Sequence, residues 1–288
     1  MIIERESQQI WIRQSWLSNF LDCPERARHA IVRPDWEREG DAALCGTAAH
    51  AAVESLLRGE ITAAEIGHAA HQAARALVAA ADQGRGISWN KFDGVDELAG
   101  YAKLQALAWL RDIYPHLPEP HPDDLIEWNF KVPLFTYRGY TVGVTGTADY
   151  VPYGQHTDLY DWKFPGRKYR QWEKQKSDVQ ASIYTLAAVE SGLREWGDGL
   201  VFNFGVARRL TTSAEGEILP VLRTAAHGEW VQHVMRSAVN LFIDVGLDAE
   251  WPAIDTSHLC SPRWCAYYSI CRGVYINGED QFRGQPAD

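Results

Sequence analysis

The chain has 288 residues, 46% of them hydrophobic and 23% charged, with a formal net charge of −10. That profile describes an ordinary globular protein long enough to bury a sizeable core. The negative balance excludes a protein that coats nucleic acid by bulk charge, but not one that meets it through a local basic strip. No run of about 18 apolar residues is present to span a membrane. The opening MIIERESQQIWIRQ is charged and lacks an apolar secretion core, so a cytoplasmic protein is expected, and the Ala-, Arg- and Trp-rich usage fits a bacterial or phage source.

Ser15 is placed to cap a helix over 16–22, and Pro24 to start another that runs to Val32. The Ala-rich stretches 41–58 and 61–82 predict two helices broken near Gly59. Gly84, Gly86, Asn90 and Gly94 make 83–94 a loop, and a third long helix is expected from Asp96 to Tyr114, stopped by Pro115. The pattern then switches. Residues 125–137 alternate apolar and polar as a strand does, Arg138-Gly139 is a turn, and 140–152 and 157–164 read as further strands. Helix over 177–191, strands over 199–207 and 216–223, and helix over 227–246 complete the order. The expected class is α/β in an α+β order. A single domain over 1–288 is expected, with a helical N-terminal region over 1–115, a core over 123–250 and a cysteine-bearing segment over 258–273.

Cys260, Cys265 and Cys271 fall within twelve residues, and Cys23 lies near the other end of the chain. Three close thiolates and one distant one suit a four-coordinate metal or cluster that ties both ends together. Disulfides and scattered core thiols are the alternatives, and a cytoplasmic setting favours ligation. Zinc and iron–sulfur are not separable by spacing. Cys45, on the Ala-rich stretch, is expected to be a buried, inert thiol.

If the chain turns near 154–156, antiparallel pairing sets Asp149 opposite Asp161, and alternation puts Asp161 and Lys163 on one face. Two carboxylates are what a hard divalent ion needs, and a lysine beside them can stabilise charge on a phosphate. A plain cross-strand salt bridge is the competing reading. His50 and Glu54 are four apart on one helix face, as are Gln180 and Tyr184. Residues 163–176 gather Lys163, Arg167, Lys168, Arg170, Lys174 and Lys176 around one Glu173. That strip is either a solvated loop or a nucleic-acid contact, and the interleaved Tyr169 and Trp172 favour the second.

Taken in order, G-T-x-x-H ending at His50, G-T-A-D ending at Asp149, D-x-K over Asp161–Lys163 and Q-x-x-x-Y over Gln180–Tyr184 resemble the RecB-type nucleases of the PD-(D/E)XK superfamily. The resemblance runs from Cys23 to Cys271 and is strongest to the iron–sulfur branch, which holds the CRISPR-associated Cas type 4 exonucleases and the AddB nuclease domain. It implies a restriction-endonuclease-like core, a central mixed sheet flanked by helices, with an N-terminal helical region and a C-terminal iron–sulfur segment. It also implies that His50, Asp149 and Asp161 ligate Mg²⁺ or Mn²⁺, that Lys163 is catalytic, and that Gln180 and Tyr184 hold the site and the DNA. Cys23, Cys260, Cys265 and Cys271 match the ligands of a [4Fe–4S] cluster, with zinc as the fallback. Four residues separate Cys260 from Cys265 where the family commonly has two, and the second carboxylate motif carries Asp rather than Glu. The activity implied is a metal-dependent DNA exonuclease acting on ends or single strands. An endonuclease or flap-processing enzyme and a catalytically silent iron–sulfur DNA-binding subunit are the alternatives. No G-x-x-x-x-G-K-[ST] occurs, so any motor would be a separate helicase, with annealing or recombination proteins as other expected partners.

Overall fold

The computed structural model describes residues 1–34, 39–84, 86–154, 158–262 and 264–271. It begins with two short strands, β1 (Ile2–Glu4) and β2 (Gln9–Ile12), followed by helices α1 (Gln14–Asp22) and α2 (Pro24–Val32). Strand β3 (Glu39–Gly40) leads into α3 (Asp41–Leu57), then α4 (Ile66–Gln83), β4 (Ile87–Ser88) and α5 (Val95–Asp112), with a 3-10 turn at Tyr114–His116. The second half runs β5 (Leu125–Tyr137), β6 (Tyr140–Val151), β7 (Asp158–Lys163), α6 (Gln171–Ser177), α7 (Val179–Glu190), β8 (Leu200–Arg209), β9 (Ala214–Arg223) and α8 (Ala225–Asp244). Among the described residues no helix is long and apolar enough to cross a membrane.

The strands of the main sheet follow the order β1-β2-β6-β7-β8-β9, with β5 paired to β6 along its length. The other edge of β6 is shared: its first residues pair in parallel with β2, and Tyr150 pairs antiparallel with Tyr160 of β7. β7 and β8 are parallel, and β8 and β9 antiparallel, so the sheet is mixed. Alternation splits the core in two. Phe202, Phe204 and Val206 face the side covered by α1, α7 and α8, whereas Tyr160 and Trp162 face the side covered by α3, α4 and α5. Trp162 packs edge-on against Trp109 at 5.2 Å and lies over Gly205, where a Cβ would sit 2.5 Å from the indole. That glycine is what lets a tryptophan seat in the strand carrying Asp161 and Lys163.

Some expectations need correction. The N-terminal stretch is not purely helical, because β2 joins the main sheet with Ile10 and Ile12 fully buried. Four residues are too few for a two-residue period to declare itself. The loop expected over 83–94 contains β4, which pairs with β3, and Asp41 holds the loop by accepting the amides of Asn90, Lys91 and Phe92. Some of the basic strip is helical rather than loop, forming α6. Residues 155–157 of the expected turn, with residue 263 and the chain from 272 onwards, lie outside the described residues.

Candidate active site

Three carboxylates line up across three neighbouring strands. β5 and β6 pair Ile126 with Tyr150 and Trp128 with Ala148, which sets Glu127 directly across from Asp149. β6 and β7 pair Tyr150 with Tyr160, so one step along the same register sets Asp149 across from Asp161. Lys163, two residues on, contacts the Asp161 Oδ2 with its ammonium. The Trp162 amide donates to Asp149, and its carbonyl faces His50 Nε2 at 3.0 Å. His50 reaches the row from α3, with Nε2 3.3 Å from Asp149 Oδ2. A carbonyl only accepts, so in this arrangement Nε2 carries the proton. From the opposite face, α7 supplies Gln180, whose Nε2 donates to Asp161 Oδ1 at 2.6 Å, and Tyr184, packed edge-on against Phe130. Asp178 caps α7 by accepting the Ala181 amide. The expected set of His50, Asp149, Asp161, Lys163 and Gln180 therefore converges, with Tyr184 beneath it.

The site is short of positive charge. Burial, then the Asp161 carboxylate, raises Asp149 well above the ordinary carboxylate range. Burial and the neighbouring Glu54 and Asp161 push Glu127 up to about 7, against the pull of Arg58. Burial lowers His50 and keeps its imidazole neutral, although Asp161 opposes this. Burial alone would lower Lys163 too, but the Asp161 and Asp149 charges outweigh it and raise that group. Burial followed by the nearby Asp161 also raises the Tyr184 phenol.

The basic strip divides. Arg167, Lys168, Arg170, Trp172 and Lys176 are exposed, Trp172 at 63%. Lys174 is turned inward: its ammonium is 2.7 Å from Asp178 Oδ2 and lies over the Tyr169 and Phe204 rings. Asp178, which follows α6, and two aromatic faces hold it, although it still lines one groove with Arg167, Lys168 and Arg170. Cys23, Cys260, Cys265 and Cys271 line one cavity, together with Arg26, His29 and the apolar Ile254 and Leu259. Cys45 is elsewhere, buried and donating to the Gln105 side chain.

A family model described as the PD-(D/E)XK nuclease superfamily matches residues 14–272. The chain belongs to this superfamily. A solved structure from Eubacterium rectale, provisionally named an exonuclease, shares the fold with a TM-score of 0.52 at 13% identity, covering 90% of this chain and 92% of that one. No curated protein matches the chain.

Membership places the protein among nucleases, which are hydrolases, and PD-(D/E)XK nucleases use divalent metals. The donors here fit such an ion. One ligand atom from each of His50, Glu127 and Asp149 lies within 4.8 Å of the others, and the two carboxylates are those whose charge burial disfavours. Glu127 was not among the residues expected from the sequence. Counting back from Asp149 across the Arg138–Gly139 turn lands on Trp128, and only the register shift between Pro133 and Phe135 brings Glu127 opposite, so strand counting alone misses it.

Proposed function

We propose that the protein is a divalent-metal-dependent deoxyribonuclease that works as an exonuclease on DNA ends or single strands. The row Glu127–Asp149–Asp161, with Lys163 on Asp161, carries this reading. Bound Mg²⁺ or Mn²⁺ supplies a Lewis acid and lowers the pKa of a coordinated water. Glu127, Asp149, Asp161 and His50 are the residues that would hold it, His50 as the neutral tautomer with its proton on Nδ1. Gln180 fixes the rotamer of Asp161, and Tyr184 backs that helix face. Lys163 stays protonated and sets a positive charge where the phosphate becomes more negative. Exposed Arg167, Lys168, Arg170 and Lys176 meet backbone phosphates, and Trp172 offers a face for a base.

The motif order supports the RecB-type, iron–sulfur branch, and the shared cavity of four cysteines supports a metal–thiolate centre of [4Fe–4S] type, or zinc in its place. Such thiolates belong in a reducing, cytoplasmic compartment. The exonuclease form agrees with the designation of the Eubacterium rectale protein of the same fold. Incubation with Mn²⁺ and end-labelled linear or circular single-stranded DNA tests the proposal, with Asp161→Asn as the inactive control. Loss of linear substrate alone is expected. Equal cutting of circles would replace the exonuclease with an endonuclease, and binding without any cleavage would leave a silent subunit.

A further inference from the structure

The cysteine cavity also holds two nitrogen donors that the nuclease chemistry does not use. His29 lines it, is 5% exposed, and stacks on Tyr267 with 5.2 Å between ring centroids. Its Nε2 lies 3.2 Å from Glu25 Oε1, at ion-pair distance rather than in hydrogen-bond geometry. Its Nδ1 is buried with no hydrogen-bond partner among the described residues. Arg26, one turn earlier on α2, lines the same cavity, and its Nε is buried and unpartnered in the same sense. Buried polar nitrogens are normally satisfied, so two orphans on one wall call for an acceptor that belongs between them. Asp22 on the rim is exposed to water, and Ala253, Ile254 and Leu259 offer no side-chain acceptor. Ser257, Tyr267 and Tyr268 add hydroxyl oxygens to the lining, and the acceptors that carry negative charge are the sulfurs of Cys23, Cys260, Cys265 and Cys271.

Four thiolates around a metal concentrate negative charge, and hydrogen bonds to the sulfurs help set the potential and affinity of such a centre. We propose that His29 and Arg26 donate N–H···S hydrogen bonds to the sulfurs of the metal centre in the four-cysteine cavity. Glu25 fixes the imidazole so that its other nitrogen faces inward, while the stack on Tyr267 sets the ring plane. Both are positioning residues that act through the ligands. The assignment rests on the reading of the cavity as a metal–thiolate site.

The test uses the full chain purified anaerobically as wild type, His29→Phe, which preserves the stack, and Arg26→Met. Midpoint potentials are read by redox titration with electron paramagnetic resonance, alongside iron content. Each substitution should lower the potential at unchanged iron content, and the double variant should lower it further. Unchanged potentials in loaded variants overturn the proposal. If a variant does not load, resonance Raman of the wild type decides: Fe–S stretches should shift in D₂O, and their failure to shift overturns it. Wild type carrying zinc and no iron overturns the iron–sulfur reading alone. The donors are then tested by zinc loss to a chelator, expected to be several-fold faster in His29→Phe, with equal rates sinking them. Wild type that holds neither metal overturns both.

Discussion

Glu127 holds φ at 54° within a strand, a left-handed conformation that costs a non-glycine residue on the order of 1 kcal/mol or more. The same residue sets a half-buried carboxyl, its ionisation opposed by burial and Glu54, beside the buried Asp149, so its position opposes stability on two counts. Glycine there should relax the backbone and remove the charge. Glu127→Gly is therefore expected to melt no lower than the wild type without metal, to lose the rise in Tm that Mn²⁺ confers, and to cleave at least about 100-fold more slowly. Thermal melts with and without Mn²⁺ check it, and a wild-type metal response would take Glu127 out of the ligand set. Cys45 provides a contrast. Burial, aided by Asp41 and opposed by Arg209, pushes its thiol up from 9.0 to about 12. A folded-state pKa raised above the unfolded one stabilises below the unfolded value, and that contribution fades as pH rises from 9 through 12. Cys45 should resist iodoacetamide in the folded chain at pH 8, and peptide mass spectrometry showing ready alkylation there would contradict its inert role.

Helix α6 shows how a basic strip is aimed. Gln171 and Gln175 donate from this helix to the Pro220 and Leu222 carbonyls of β9, and the Leu222 amide returns a bond to Gln175. Arg223, fully buried, donates to the Lys174 and Gln175 carbonyls and so closes the end of the helix. The helix thus covers the edge of β9 and leaves Trp172 and Lys176 to solvent. Replacing Lys168 and Arg170 by Gln should lower the salt slope of DNA binding by roughly 1.5, at about 0.7–0.9 per phosphate contact, whereas Lys174→Gln should leave it alone. Filter binding across a salt series separates the two, and equal slopes for all variants would return the strip to a solvated surface. This division was not legible beforehand, because composition counts Lys174 with its neighbours while Asp178 and two rings turn it inward. The D-x-K hairpin was legible, since strand alternation and a turn centre suffice to bring Asp149, Asp161 and Lys163 together. Glu127 escaped because it stands alone on its strand, outside any short motif. Strand β2 escaped because its partner lies more than a hundred residues away in β6.

At the scale of the whole chain, the first helices are tied to the segment after α8 by contacts that need no thiol. Glu25, at the start of α2, accepts two hydrogen bonds from Arg28, at 2.8 and 2.6 Å, and one from the Trp251 amide at 2.7 Å. Arg28 in turn donates to the Leu247 carbonyl, and the Glu25 amide donates to the Pro252 carbonyl. Burial alone would raise Glu25, yet Arg28, His29 and the Trp251 amide together hold it down at about 2. The Trp251 ring packs edge-on against Trp16 and Phe20, which ties the segment after α8 to the first helix of the fold. These contacts bring Cys23 beside the loop that carries Cys260 and Cys265 by means independent of any metal, and the Ile254 amide already donates to the Cys23 sulfur. Glu25→Gln leaves Arg28 buried without its anion, a change that costs about 3 kcal/mol or more when one partner of a buried pair is removed. Tm should then fall on the order of 10 °C, at roughly 2–4 °C per kcal/mol for a chain of this size. In metal-free protein the same substitution should speed alkylation of Cys23, Cys260 and Cys265 together, because one knot holds all three in place. A variant that melts within about 1 °C of the wild type would show that the thiols, not this ion pair, tie the two segments together.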